Sequence, residues 1–187
     1  MRRASLLVAL FFVGCSVLDA GSGMSGAEAR AIARQIGEAF ANGMDGAVPA
    51  PAALPVDGPL AVAVNVQLSQ RTNCTAGGRI EVLGNLTGNI SDEGSGILLL
   101  QVTETISDWK CVTGYVVNGD PYVSVAGHMN FLSGQMSSTA TFSFGGGFKW
   151  GTTSEESCQI SMTLLFRTDG TGRLTGTVCG EIINEEI

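Results

Sequence analysis

The sequence predicts a mainly all-β fold: an antiparallel β-meander of seven or eight strands, forming a curled sheet or small barrel, with one N-terminal amphipathic helix. Three observations carry this. Several segments alternate apolar and polar residues with a period of two, the pattern of a half-buried strand. Turn-forming pairs separate those segments. The 187 residues include 26 glycines, while charged residues make up only 14%, a balance that favours turn-rich β structure over helix.

The clearest strand is in the last hairpin. Cys158, Ile160, Met162, Leu164 and Phe166 share one face, and Gln159, Ser161, Thr163, Leu165 and Arg167 the other. Asp169-Gly170 follows and suits a tight turn. The return arm is expected to carry Leu174, Val178 and Ile182 on one face. Upstream, Val62, Val64, Val66 and Leu68 alternate with polar or small residues. Ile80, Val82 and Leu86 do the same, and Leu98, Leu100 and Val102 precede a polar stretch expected at 103–108. A short strand fits 112–117. Val123, Val125, Met129 and Phe131 form the next strand, and Met136, Ala140, Phe142 and Phe144 another. Turns are expected at Gly77-Gly78, Gly88-Asn89, 94–96, 118–121, Ser133-Gly134 and Asp169-Gly170, with a bulge or bend at 145–147.

The N-terminal third divides differently. Residues 1–14 read as a signal peptide: Arg2 and Arg3 supply a positive start, and the apolar run at 5–14 is too short to span a bilayer. It ends in Phe12-Val13-Gly14-Cys15. This resembles the lipobox of bacterial lipoproteins, a resemblance confined to this segment. It implies that Cys15 carries the acyl chains and that the partner is a membrane, reached through a lipid anchor. Ser16, rather than Asp, at the second mature position implies the outer membrane. The alternatives are an ordinary cleaved signal, leaving a secreted or periplasmic domain, and a segment retained as an anchor helix. All these readings export the chain.

Residues 15–25 are glycine- and serine-rich and read as a flexible tether. Residues 26–43 carry the helix. Ser25 and Glu28 fit a capping box, in which hydroxyl and carboxylate satisfy backbone N–H groups reciprocally. Ile32, Ile36 and Phe40 recur every four residues, flanked by Ala29 and Ala33. Residues 44–59 include Pro49, Pro51, Pro55 and Pro59 and form an extended linker. Residues 60–187 are the β domain.

An up-and-down meander brings Cys74, Cys111, Cys158 and Cys179 to one end of the sheet. Of the three pairings four cysteines allow, Cys74–Cys111 and Cys158–Cys179 is favoured, because chain neighbours most easily meet the required separation. Disulfides fit an exported domain.

Little catalytic chemistry is apparent, and the chain is not read as an enzyme. The single histidine, His128, stands on the polar side of its strand. A catalytic role would need a carboxylate beside it, such as Glu104 or Glu81. No Cys-x-x-Cys pair or second histidine supports a metal site, and no cofactor is expected. Asp92-Glu93 and Glu155-Glu156 read as solvated loop charge, and 145–147 lacks the Lys-Ser/Thr of a phosphate loop. The net charge of −7, more acidic still without Arg2 and Arg3, argues against nucleic acid. Trp109, Tyr115, Tyr122, Phe148 and Trp150 cluster near strand ends, as core plugs or as the mouth of a ligand site. The expected function is a non-catalytic, lipid-anchored envelope domain binding an apolar ligand or an envelope protein, through residues the sequence does not name. The alternative is a structural or interaction lipoprotein with a filled core.

Overall fold

A computed structural model describes residues 23–44, 62–91, 93–112, 114–133, 135–136, 139–152, 156–169 and 171–187. Cys15, the signal-like segment and the proline-rich linker lie outside these residues, as does Gly170.

Among the described residues one helix, α1 (Gly26–Met44), precedes nine strands: β1 (Val62–Asn73), β2 (Arg79–Ile90), β3 (Gly96–Ser107), β4 (Val116–Leu132), β5 (Gln135–Met136), β6 (Ala140–Gly151), β7 (Glu156–Phe166), β8 (Gly172–Val178) and β9 (Glu181–Glu186). Eight of them form a continuous antiparallel meander, β1-β2-β3-β4-β6-β7-β8-β9, and β5 folds back on the end of β4. The expected all-β meander with one helix is what forms, as an unclosed sheet. Among the described residues, β1 and β9 end the strand order and do not pair with each other.

The sheet curls around α1. The helix packs on β1 and β2 at one end of the strand order and on β8 and β9 at the other, so the two ends must approach the same rod. Its start follows from local chemistry. Ser25 N–H and Oγ–H both donate to Glu28 Oε2, at 2.7 and 2.8 Å. The Glu28 N–H donates back to Ser25 Oγ at 3.4 Å, completing the capping box. Ala29, Ile32, Ala33, Ile36 and Phe40 are all buried, the stripe that the four-residue spacing anticipates. Phe40 reaches across the interior to Phe142 and Phe144 on β6, with ring centroids 5.0 and 5.3 Å apart.

Glycines on the concave face make room for this curl. Gly84 stands opposite Val102, Gly88 opposite Leu98, Gly127 opposite Phe142 and Gly176 opposite Met162. In each case the adjacent strand's backbone comes too close for a Cβ, and at Gly84, Gly88 and Gly127 the larger neighbour's side chain also fills the space: a Cβ built at Gly84 would lie 2.2 Å from the Gln101 carbonyl oxygen and 2.7 Å from Val102 Cγ1. Pairing an inward glycine with a large residue lets adjacent strands close on their inner side.

The disulfides are Cys74–Cys111 and Cys158–Cys179, with Cα atoms 5.6 and 4.8 Å apart. Both lie at the end of the sheet where α1 begins. The closed loops, 37 and 21 residues in sequence separation, correspond to roughly 3–4 kcal/mol each on a chain-entropy model.

Several local expectations are corrected. Gly88-Asn89 is not a turn but part of β2; the turn follows at Ser91, whose carbonyl accepts from Gly94 N–H at 2.8 Å. Residues 118–121 are not a turn either. β4 runs through them, and its register to β6 shifts between Gly119 and Val123. Pro121 has no N–H to give a ladder, so the strand bulges there instead of stopping. The stretch 103–108 is no polar end, because β3 continues to Ser107 with Glu104 and Ile106 facing inward. The last loop is longer than a two-residue turn. Pairing ends at Phe166 and resumes at Gly172, and Asp169 Oδ1 accepts from Thr171 N–H at 2.9 Å. Finally, Ile182 faces out, 77% exposed, while Ile183 is buried. The chain turns at Cys179 and Gly180 to start β9, which resets the alternation.

The glycine pairing gives a direct test. Replacing Gly84 with Ala is expected to destabilise the domain by about 1–3 kcal/mol, the usual cost of overpacking, read as a lower urea midpoint. Replacing Gly114 with Ala, where a Cβ meets nothing within 4 Å but φ is +84°, should cost about 1 kcal/mol from backbone strain alone. Equal costs at the two positions would contradict the packing account.

Candidate functional site

The concave face of the sheet is apolar with one exception. On β3, Leu98, Leu100, Val102, Glu104 and Ile106 point inward in succession. Glu104 is fully buried and is the sole buried charged-type side chain among the described residues. Its register partners are Val82 on β2 and Val123 on β4. Its neighbours along the strand face are Val102 and Ile106, and all four are buried. Neither carboxyl oxygen has a hydrogen-bond partner.

Burial without compensation determines the protonation state. Removal from water penalises the charged form, so the Glu104 carboxyl titrates well above the usual carboxylate range. It stands as a neutral acid, with one O–H donor and one carbonyl acceptor unmet. A buried polar group without partners costs several kcal/mol relative to water in an apolar surrounding, and such groups concentrate at functional sites.

The next inward rung toward the disulfide end carries a second polar feature. Ile106 and its partner Ile80 line a void of about 10 Å³ with Ile32, Gln35, Ile36, Trp109, Val112 and Val117, on the order of the room one water needs. Gln35 on α1 joins helix to sheet here: its Nε2 donates to the Cys111 carbonyl at 3.0 Å, and its Oε1 accepts from Trp109 Nε1. Trp150 Nε1 is a further buried donor without a partner. It is two inward positions along β6 from the residue facing Val123, about 13 Å at the rise of a strand, so it belongs to a separate environment from Glu104.

The aromatic residues divide. Trp109, Phe148 and Trp150 are buried core plugs. Tyr115 packs on Trp150, with centroids 4.9 Å apart. Its hydroxyl hydrogen-bonds Glu28, which, with the Ser25 bonds, lowers the Glu28 pKa and raises that of Tyr115. Tyr122 lies outside, exposed. These residues do not line a common mouth.

Among the described residues no histidine–carboxylate pair forms. His128 is exposed on the convex face, opposite Leu99 and Thr141, whereas Glu104 is inside. Glu81 is held by Arg71 and Arg79, which lower its pKa, Arg71 most strongly. Among the described residues no group of three or more His, Cys, Asp or Glu is placed to hold a metal ion, and no helix is long and apolar enough to cross a membrane. Glu104 came into the sequence reading only as a partner for His128. Its alternation with Leu98, Leu100 and Val102 was the signal that it faces inward.

Glu104 makes stability depend on pH with a definite sign. Its pKa is raised on folding, so the folded chain holds a proton that the unfolded chain releases. Its contribution is therefore fully present below the ordinary carboxyl range and is lost as pH rises above it. Glu104→Leu should be more stable than the parent at pH 7 by roughly 1–3 kcal/mol, with a smaller gap at pH 4, measured by urea denaturation. A destabilised variant, or a gap that widens toward pH 4, would contradict this reading.

Comparison with protein-family models, with curated proteins and with solved structures finds no match to this chain.

Proposed function

We propose that the chain is an exported, non-catalytic domain of the bacterial envelope, anchored through a lipid on Cys15, that binds an apolar ligand within the curled sheet, with α1 as a displaceable cover. The observation that carries this reading is Glu104: an unpartnered carboxyl set in an otherwise apolar stretch of the interior is the pattern of a ligand pocket, and here the space over the sheet is filled by a helix. The two disulfides support an oxidising compartment.

The attachment of α1 favours a cover over a fixed wall. Its hydrogen bonds and ion pairs to the sheet, among the described residues, run through side chains. Gln35 contacts Trp109 and the Cys111 carbonyl, Arg30 and Arg34 pair with Glu185 at 3.5 and 2.8 Å, and Glu28 meets Tyr115. The apolar contribution of Ile32, Ile36 and Phe40 is roughly 5–9 kcal/mol at ~1.5–3 kcal/mol per side chain. A ligand covering the same surface would offset much of it. Apparent affinity falls with the fraction of molecules that are open.

A second reading rests on the convex face. Ile97, Leu99 and Leu132 are 54, 53 and 62% exposed and lie near one another by register. On that reading the interior is only a core, and this patch meets an envelope protein.

Titration with N-phenyl-1-naphthylamine, a neutral apolar fluorophore, separates the two. The ligand-binding reading expects saturable binding of one probe per chain. Ile36→Ala should lower stability by about 2–5 kcal/mol while tightening probe binding, with near-ultraviolet circular dichroism retained. Absence of saturable binding in both proteins would refute an interior site. For the anchor, the full chain expressed with its leader should fractionate with membranes and Cys15→Ser should not; identical fractionation would refute lipidation at Cys15.

A further inference from the structure

We propose that Glu104 is the polar anchor of the interior site and that the molecule taken there is an apolar chain or ring system bearing a hydroxyl group. This inference rests on the ligand-binding reading and names the chemistry of its ligand.

Both carboxyl oxygens of Glu104 are buried without a hydrogen-bond partner, and Val82, Val102, Ile106 and Val123 surround the side chain on its face of the sheet. None of these can donate or accept. The group that best completes the site offers one donor and one acceptor within a small volume and carries no charge into an apolar interior. A hydroxyl does this, accepting from the acid O–H and donating to the acid carbonyl. A hydrocarbon satisfies neither atom. An ether accepts but cannot donate. A carboxylate brings a charge that no buried cation among the described residues would balance. An amine would take the proton and leave an ion pair to be desolvated, which costs about as much as it gains.

The helix supplies the rest of the geometry. Gln35, Ile32 and Ile36 line the void that begins one inward position from Glu104, at Ile106. Movement of this part of α1 away from the sheet would enlarge that void on the side of the carboxyl. The apolar part of the ligand would then replace Ile32, Ile36 and Phe40 against β2, β3 and β6.

Competition against N-phenyl-1-naphthylamine with a ten-carbon series tests the proposal on the full chain. In the parent protein, 1-decanol should displace the probe at a concentration at least about tenfold below that of 1-methoxydecane, as one well-made hydrogen bond is worth roughly a factor of ten. It should also act well below decanoate and decylamine. In Glu104→Leu, which should still fold and bind the probe, the preference of alcohol over ether should fall to within about twofold. Glu104→Gln, whose amide also offers a donor and an acceptor, should keep part of it. Equal displacement by alcohol and ether in the parent, or a preference unchanged in Glu104→Leu, overturns the anchor while leaving an interior site in place. Strongest displacement by decylamine or decanoate overturns the hydroxyl assignment. No probe binding at all overturns the underlying reading instead.

Discussion

The contact between the apolar stripe of α1 and the concave face of the sheet is the interaction on which the rest of the structure depends. An open eight-stranded meander leaves two ends of its strand order unjoined, and a curled sheet with an empty centre would expose its inner face to water. Ile32, Ile36 and Phe40 fill that centre. The helix meets β1 and β2 on one side and β8 and β9 on the other, completing by side-chain packing what a closed barrel completes with hydrogen bonds. The inward glycines on β2, β4 and β8 follow from this arrangement, since a sheet curved tightly enough to grip a helix cannot place a large side chain at every inner position. The disulfides secure the end of the sheet where the helix begins, where Gln35 also ties the helix to the loop bearing Cys111.

Within that frame Glu104 is a local conflict. Every other inward position of β3 is apolar, and an apolar side chain at 104 would give a better core. Local conflicts of this kind gather where a site is built. The carboxyl is placed between two valines with no partner, in an interior whose cover is a helix attached by side chains. A ladder strand in that place could not leave without breaking backbone hydrogen bonds. A helix carries its own backbone hydrogen bonds with it and can leave at the cost of its packing and its few side-chain hydrogen bonds and ion pairs.

Much of this was legible in the sequence. Strict alternation identified β7 and the 140–144 half of β6, although Met136, expected in the same strand, belongs to β5 and the alternation of β6 breaks at 146–148; the four-residue spacing with the Ser25–Glu28 box located α1. The meander placed the four paired cysteines at one end. What failed did so for physical reasons. Asn118, Gly119, Asp120 and Pro121 have turn chemistry but sit where neighbours on both sides hold the strand in the sheet, so the outcome was a bulge. Gly88 reads as a turn residue, yet it is an inward spacer beneath Leu98. The turn at Cys179 and Gly180 is too short to stand out, and it moved the buried isoleucine from 182 to 183. Glu104 was hidden by its type: a carboxylate reads as surface, although its position in the alternation is that of a core residue.

The central claim is that α1 opens as a unit while the sheet stays folded. Native-state hydrogen exchange on the full chain tests it most directly. The account predicts that amides of α1 around Ile32, Ile36 and Phe40 exchange through an opening of lower free energy than those of β6 and β7, and that this opening becomes more populated on adding 1-decanol. A single exchange free energy shared by α1 and the central strands, unchanged by the alcohol, would make the helix a permanent part of the core and contradict the account.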